Sequence, residues 1–270
     1  MLYHNTLDAT LYTQRSAEWA ALYLQAFALA ELRLLVEVQR RTQARMPVDG
    51  FYVVSDLDET LLDNSAYNAW ILESGRDFHD STWSQWCQQR RARATPGAVD
   101  FAKFVVEHGA HLVYVSSRFE ADREATAENL KSLGFPLPDS SNDPKHTRLF
   151  LSGMPLGGKP SKKKEQFVWL EQRFGSEPLL WLGDNLSDHD PDRYSSRVEG
   201  EQRRQRAIDE NFRWGHDWIV FPNAVYGSWR QALGKSDEEP PAPFQPTPVR
   251  PALNSPKGPL LRRWSAPGLD

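Results

Sequence analysis

The residues best suited to chemistry in this chain lie in the run 56–60, DLDET, which directly follows an apolar stretch. Alternate side chains of an extended chain point to the same side, so the carboxylates of Asp56 and Asp58 face together. Such neighbours repel each other unless a cation or a shared proton compensates. A hard cation such as Mg²⁺ would keep Asp56 ionised and nucleophilic, while Asp58 could serve as a general acid. A solvated acidic turn is the alternative for this motif taken alone.

Three further polar segments follow apolar runs or open helical patterns. Ser116 and Ser117 end a second apolar run, and their hydroxyls can bind phosphate oxygens. Lysines 162–164 open a helical pattern, where the ammonium groups and the helix N-terminus both favour an anion. Asp184 and Asp188, in GDNLSD, follow another apolar run. Each segment alone also fits a solvated turn, but their shared position and order favour one site for a metal and a phosphate.

The elements that would position these residues alternate along the chain. Apolar, β-branched and aromatic runs predict buried strands at 51–56, 111–116, 179–184 and 218–221, with a weaker one at 147–151. Helical patterns lie at 98–107, 121–133, 162–174 and 203–212. This alternation predicts an α/β fold, a central parallel sheet flanked by helices on both faces. Ligands bind at the carboxyl ends of such strands, and each of the four polar segments falls there or at the start of the next helix.

The domain organisation is predicted from breaks in these patterns. Residues 1–234 are predicted to form one domain that begins with a long amphipathic helix at 16–41. The segment 65–93 interrupts the alternation and predicts a small helical cap. The tail 235–270 is rich in proline and poor in apolar anchors, which predicts an extended or disordered segment.

Composition narrows the classes of function. The net charge is −4 over 270 residues, which argues against nucleic-acid polymers and acidic membranes as partners. The single cysteine, Cys87, excludes an internal disulfide and a cysteine-rich metal cluster. No uninterrupted apolar run approaches the ~18 residues of a membrane span, so no transmembrane segment is predicted. The first residues also lack the pattern of a signal peptide.

The order DLDET, VSSR, a lysine and GDNLSD resembles the four motifs of the haloacid dehalogenase (HAD) superfamily of phosphohydrolases. More narrowly, the chain resembles the class C bacterial acid phosphatases, the family of outer-membrane lipoprotein 5′-nucleotidases. That resemblance spans residues 10–234 and rests on LYTQRSAEWAALYLQAFALA, DLDETLLDNSAYNAW and DWIVFPNAVYGSW. It implies a Rossmann-like HAD fold with a small cap. It also implies Mg²⁺-dependent hydrolysis of small phosphomonoesters, such as nucleoside 5′-monophosphates and aryl phosphates, with an acidic optimum.

The resemblance also implies roles for the acidic residues. Asp56 would be the nucleophile that forms an aspartyl-phosphate. Asp58 would be the acid/base, with its backbone carbonyl on the metal. Asp184 would be the remaining protein ligand of Mg²⁺, and Asp188 would support that shell.

The remaining implied roles concern the substrate. Ser116, with Ser117 beside it, would bind phosphate, although asparagine is more usual at position 117. Lys163 would neutralise the charge of the aspartate and phosphate, with Lys162 as the competing assignment. Trp83 and Tyr226 would hold a nucleobase or an aromatic leaving group.

The cellular location, the assembly and the exact reaction have more than one interpretation. The resemblance implies a periplasmic or outer-membrane-associated protein and a possible homodimer. If the N-terminus is native, a cytoplasmic location is expected instead. Two alternative functions remain: a phosphotransferase that passes the phosphoryl group to alcohols, and a non-catalytic storage or ligand-binding protein on the same fold.

Overall fold

The computed structural model describes residues 6–47, 51–137 and 148–232, together with two short strands at 254–255 and 258–259. The helices are α1 to α9: Leu7–Arg15, Ala17–Gln43, Ser65–Ser74, Asp80–Gln88, Ala98–Glu107, Arg123–Leu133, Lys163–Phe174, Gly200–Asp209 and Ser228–Ala232. The strands are β1 to β11: Tyr52–Ser55, Leu62–Asp63, Arg93–Ala94, His111–Phe119, Leu149–Ser152, Pro155–Leu156, Lys159–Pro160, Leu180–Gly183, Trp218–Val220, Asn254–Ser255 and Gly258–Pro259.

Five strands form one parallel sheet in the order β5-β4-β1-β8-β9. Within it, Val54 of β1 lies between Val113 of β4 and Trp181 of β8. All four residues of β1 and all four of β8 are buried, because helices cover both faces of the sheet. The predicted α/β architecture is therefore confirmed, and the carboxyl ends of all five strands lie along one edge.

Each face of the sheet has its own apolar core. Val53 points into the core that contains Tyr23 and Phe27 of α2, whereas Val54 points into the core that contains Phe167 of α7. Successive residues of a strand alternate between faces, so β1 contributes to both cores. The two cores hold the sheet edge, and hence the loops that follow β1, β4 and β8, in fixed positions.

The predicted helix at 16–41 spans Ala17–Gln43, and the Ser16 side chain caps it by accepting a hydrogen bond from the Trp19 amide at 2.9 Å. A separate helix, α1, precedes it and was not predicted. Among the described residues, α2 is the one helix that is long and apolar enough to cross a membrane on length and composition. Tyr23 and Phe27 on its inner face lie in the core.

The segment predicted as a cap contains α3 and α4. Its two ends are brought together by β2 and β3, where Leu62 pairs with Ala94 and Asp63 with Arg93 in an antiparallel ladder. This ladder explains how an insertion after β1 returns the chain to the sheet at α5. The tail predicted for 235–270 lies outside the described residues, apart from β10 and β11, which pair with each other.

Candidate active site

The predicted site residues are carried by the carboxyl ends of the strands and by the start of one helix. Asp56 follows β1 directly, and its amide continues the sheet by donating to the Leu182 carbonyl at 2.9 Å. Ser116 and Ser117 lie in β4, and Asp184 follows β8. Lys163 is the first residue of α7, which comes after β5 and the short strands β6 and β7. The sheet thus brings together residues that lie more than a hundred positions apart in sequence.

Lys163 is the centre of the site. Its Nζ donates to Asp56 Oδ1 at 2.5 Å and to Asp188 Oδ1 at 2.7 Å, and the three side chains are largely buried. Lys162 is the N-cap residue of α7 and is exposed. Of the two lysines left open by the sequence, the structure places Lys163 on the predicted nucleophile.

Asp56, Asp184 and Asp188 form a carboxylate cluster. One oxygen of each lies within 4.8 Å of one oxygen of the other two. Asn223 Nδ2 donates to Asp184 Oδ2 at 2.8 Å, and the Asn185 amide donates to Asp188 Oδ2 at 3.1 Å. These bonds orient the carboxylates, and three hard oxygen donors so close together can hold a divalent cation.

The pKa shifts of the cluster also favour a bound cation. Burial raises the pKa of Asp56 to about 7, with Asp188 and Asp58 adding to the rise and Lys163 opposing it. Burial, followed by the charges of Asp188 and Asp56, raises the pKa of Asp184 well above its ordinary value. Burial alone would lower the pKa of Lys163, but Asp188 and Asp56 raise it, so the ammonium stays charged. Asp56 and Asp188 are buried and Asp184 is half-buried, and one ammonium does not compensate three carboxylates, so a bound cation would favour their ionised forms.

Asp58 faces a different set of partners. Arg118 Nη2 donates to Asp58 Oδ1 at 2.7 Å, and Arg118 Nε lies 3.0 and 3.1 Å from its two oxygens. Asn64 Nδ2 donates to Asp58 Oδ1 at 2.9 Å. A guanidinium and an amide therefore fix the carboxylate of the predicted acid/base in one orientation.

The two serines differ in exposure. Ser116 is buried, and its hydroxyl donates to Asp58 Oδ2 at 3.3 Å while accepting from the Arg118 amide at 3.1 Å. Ser117 is exposed. Both line a cleft of about 740 Å³ together with Lys163 and Asp188, so the predicted phosphate-binding groups share one space.

The two predicted aromatic residues lie against the DLDET loop and its partners. The half-buried ring of Trp83 packs edge-on against Tyr67 at 5.1 Å, and the Arg118 guanidinium carbon lies 5.7 Å from its centroid. The Tyr226 hydroxyl donates to the Glu59 carboxylate, while the residue remains 37 % exposed. The structure thus gives both rings a packing or hydrogen-bonding role, and their contact with a substrate stays a prediction.

Glu59 is a residue of the DLDET loop to which the sequence analysis assigned no role. Its carboxylate accepts from the Asn64 amide at 3.0 Å and from Tyr226, and its carbonyl accepts from the Tyr23 hydroxyl. It has a positive φ of 55°, a conformation that costs energy for a residue with a side chain. Glu59 therefore ties the loop that carries Asp56 and Asp58 to α2 and to the loop before α9.

Arg118, Asn64 and Asn223 were also missed as site residues. Each lies inside a motif that suggested the family, VSSR, DLDETLLDN or PNAVYGSW, which was the available signal. Their roles depend on carboxylate partners up to 60 residues away, such as Asp58 for Arg118. Spacing alone does not reveal such pairs.

Comparisons with known proteins identify the family of this chain. A family model described as HAD superfamily, subfamily IIIB (acid phosphatase) matches residues 3–229. The class C acid phosphatase from Bacillus anthracis is similar in structure, with a TM-score of 0.72 and 29 % identity over 86 % of this chain and 89 % of that chain. A structure of the class C acid phosphatase from Bacillus anthracis with tungstate bound gives 0.71 and 29 %, over 87 % and 93 %. The chain belongs to subfamily IIIB of the HAD superfamily, and it is an acid phosphatase, a hydrolase of phosphomonoesters.

Proposed function

We propose that this acid phosphatase is Mg²⁺-dependent and hydrolyses small phosphomonoesters through an aspartyl-phosphate on Asp56. The observation that carries the proposal is the position of Lys163, whose ammonium lies between Asp56 and Asp188 at the carboxyl edge of the sheet. A cation in that position can neutralise both the nucleophile and an arriving phosphate.

The donor set fits a hard divalent cation. Oxygens of Asp56, Asp184 and Asp188 lie within 4.8 Å of one another, and their buried charge exceeds that of the nearby ammonium. Asp56, Asp184 and the backbone carbonyl of Asp58 would hold the ion, with Asp188 in support. When bound, Mg²⁺ supplies further neutralisation of charge on the transferring phosphoryl group.

The protein groups divide the reaction between them. An Asp56 carboxylate oxygen attacks phosphorus, the ester bond breaks, and Asp58 delivers a proton to the leaving oxygen. Asp58 then takes a proton from water, which attacks the phosphorus of the aspartyl-phosphate and releases inorganic phosphate. Lys163 and Ser116 bind the non-reacting phosphate oxygens. Arg118 and Asn64 hold the Asp58 carboxylate for both proton transfers.

Nucleoside 5′-monophosphates and aryl phosphates are the proposed substrates. Trp83 lies beside the Arg118–Asp58 pair, and Tyr226 is partly exposed and anchored by its hydroxyl to Glu59. These rings offer stacking faces near the predicted acid/base. We expect Trp83→Ala and Tyr226→Ala to lower the preference for nucleotides over sugar phosphates. An unchanged preference in both variants would argue against nucleotide stacking.

The test of the mechanism is release of inorganic phosphate at mildly acidic pH, with Mg²⁺ or with EDTA. The wild type should release phosphate only with metal, and Asp56→Asn should be inactive in both conditions. Asp209→Asn, an exposed change on α8 with the same chemistry, is the matched control. Turnover by Asp56→Asn close to that of the control would refute the aspartyl-phosphate route. Adding acceptor alcohols to the same assay detects phosphotransferase activity as a phosphorylated alcohol.

Location and assembly are proposed from the family. We propose, from family similarity, a periplasmic or outer-membrane-associated protein that forms a homodimer and acts on small molecules. We also propose that residues 65–93 act as a cap over the site. Cell fractionation and sedimentation analysis would test location and assembly.

A further inference from the structure

The cleft beside Lys163 extends well beyond the predicted phosphate site. Its volume of about 740 Å³ is in the range of pockets that hold a whole small ligand. The buried residues Ser116 and Asp188 line its inner part. Lys162 and Arg197, both exposed, line its rim. The cleft therefore has space and functional groups that a single phosphoryl group does not use.

Some cationic side chains of the cleft form ion pairs with neighbouring carboxylates, and others do not. Lys163 is paired with Asp56 and Asp188, and Lys164 Nζ lies 2.7 Å from Asp192 Oδ2. Lys162 and Arg197 form no ion pair with any residue in the part of the chain that the structure describes. The rim thus offers two cations that remain available to an anionic ligand.

The lining of the cleft is polar and charged rather than aromatic. It consists of six serines, four cationic residues, three acidic residues and one proline. None of these described residues offers an aromatic face, in contrast to the surface near Trp83. Hydroxyls and cations are the groups that bind phosphate oxygens in proteins.

Hydrogen bonds hold the loop that carries Arg197 in one conformation. The guanidinium of the buried Arg203 donates to the Ser195 carbonyl at 3.0 Å, and the Arg197 amide donates to Ser195 Oγ at 3.3 Å. Asp190 Oδ1 accepts from the Arg193 amide at 2.9 Å at the start of the same loop. A fixed backbone lowers the entropy that a ligand must remove on binding.

We infer that the rim of this cleft, through Lys162 and Arg197, binds a second phosphate group carried by the leaving group of the substrate. Phosphomonoesters with a second phosphate are then favoured over the matching monophosphates. This inference rests on the proposed function, because it places the reacting phosphate at Asp56 and Lys163.

The first experiment compares kcat/KM for a nucleoside 5′-monophosphate and for the 3′,5′-bisphosphate of the same nucleoside. We expect the wild type to prefer the bisphosphate by about tenfold, the size of effect that charge-assisted hydrogen bonds give at an exposed rim. The double variant Lys162→Gln/Arg197→Gln should lose this preference and keep the wild-type kcat/KM for the monophosphate. The matched control is Lys131→Gln/Arg204→Gln, which removes two exposed cations from α6 and α8.

A second measurement separates binding from turnover. Calorimetric titration of the bisphosphate into Asp56→Asn should show tighter binding than the monophosphate, and the two rim substitutions should remove the difference. Equal kcat/KM for the two compounds in the wild type, or a preference retained by the rim variant, would overturn the inference. If the wild type hydrolyses neither compound, the proposed function is refuted rather than the rim subsite. In that case the titration by itself decides on the subsite, and equal affinity for the two compounds would overturn the subsite.

Discussion

Arg118 offers the sharpest test of how this site is held together. Its side chain is 1 % exposed and pairs with Asp58, whose side chain is 13 % exposed. The guanidinium also lies 3.3 Å from Asn64 Oδ1 and 3.4 Å from Thr126 Oγ1. Removing it by Arg118→Met would leave the Asp58 carboxylate without its cation and Asn64 Oδ1 with one donor, Trp86 Nε1 at 2.8 Å.

The expected cost follows from the burial of the pair. Breaking a buried ion pair by removing one partner costs about 3–5 kcal/mol, because the remaining charge stays out of water. Asp58 keeps some contact with solvent, so we expect the lower end, about 3 kcal/mol of the free energy of unfolding. The surface pair Arg90–Glu128, at 2.8 Å with both side chains nearly half exposed, is the matched control. Arg90→Met should cost below about 1 kcal/mol.

Urea unfolding followed by tryptophan fluorescence measures both values. A double-mutant cycle adds the decisive comparison, because Asp58→Asn removes the charge that Arg118 compensates. In that background Arg118→Met should cost less by about 1–3 kcal/mol, the range found for residues in contact. A cost for Arg118→Met no larger than that of Arg90→Met, or strict additivity with Asp58→Asn, would refute this account of the site.

Three further predictions follow from the described contacts. A Cβ on Gly183 would lie 2.5 Å from Asp188 Cβ and 2.9 Å from its Oδ2. Gly183→Ala should therefore displace Asp188, lower the free energy of unfolding by about 1–3 kcal/mol and reduce phosphatase activity. Wild-type activity in this variant would contradict the prediction. Burial raises the pKa of Cys87 to about 12, so iodoacetamide should label the thiol slowly at about pH 8 in native protein and rapidly in urea; fast native labelling would contradict this. Burial raises the pKa of Asp56 to about 7, so without metal the native protein holds a proton on this carboxyl more tightly than the unfolded protein does. In EDTA the protein should therefore lose stability as the pH rises from about 4 through about 7. Saturating Mg²⁺ should remove that loss in urea midpoints, and an identical pH dependence with Mg²⁺ and EDTA would count against a metal on Asp56.

Much of the fold was predictable because its signals are local. Continuously apolar runs separated by helical patterns predict a parallel sheet with helices on both faces, and the five strands of the central sheet follow those runs. Boundaries were less accurate, since β4 continues to Phe119, beyond the predicted end at 116. The helix α1 was missed because its nine residues contain only two buried threonines and one buried glutamine, which make no apolar stripe.

The acidic residues of the site were predictable for a similar reason. Asp56, Asp58, Asp184 and Asp188 each lie within a few residues of a strand that the sequence already predicts, and parallel strands place their carboxyl ends on one edge. Their grouping therefore follows from topology without knowledge of any side-chain contact.

The amino-acid pattern was sufficient to predict the succession of strands and helices and the polar residues that they present at one edge. Which of those residues are partners became visible only in the folded chain. It placed Lys163 on Asp56 and left Lys162 at the cleft rim, because the first turn of α7 points its successive side chains in different directions. It also paired Arg118 with Asp58 and Glu59 with Tyr226. Such pairs form between segments far apart in sequence, whose approach is set by the packing of both cores rather than by any local pattern.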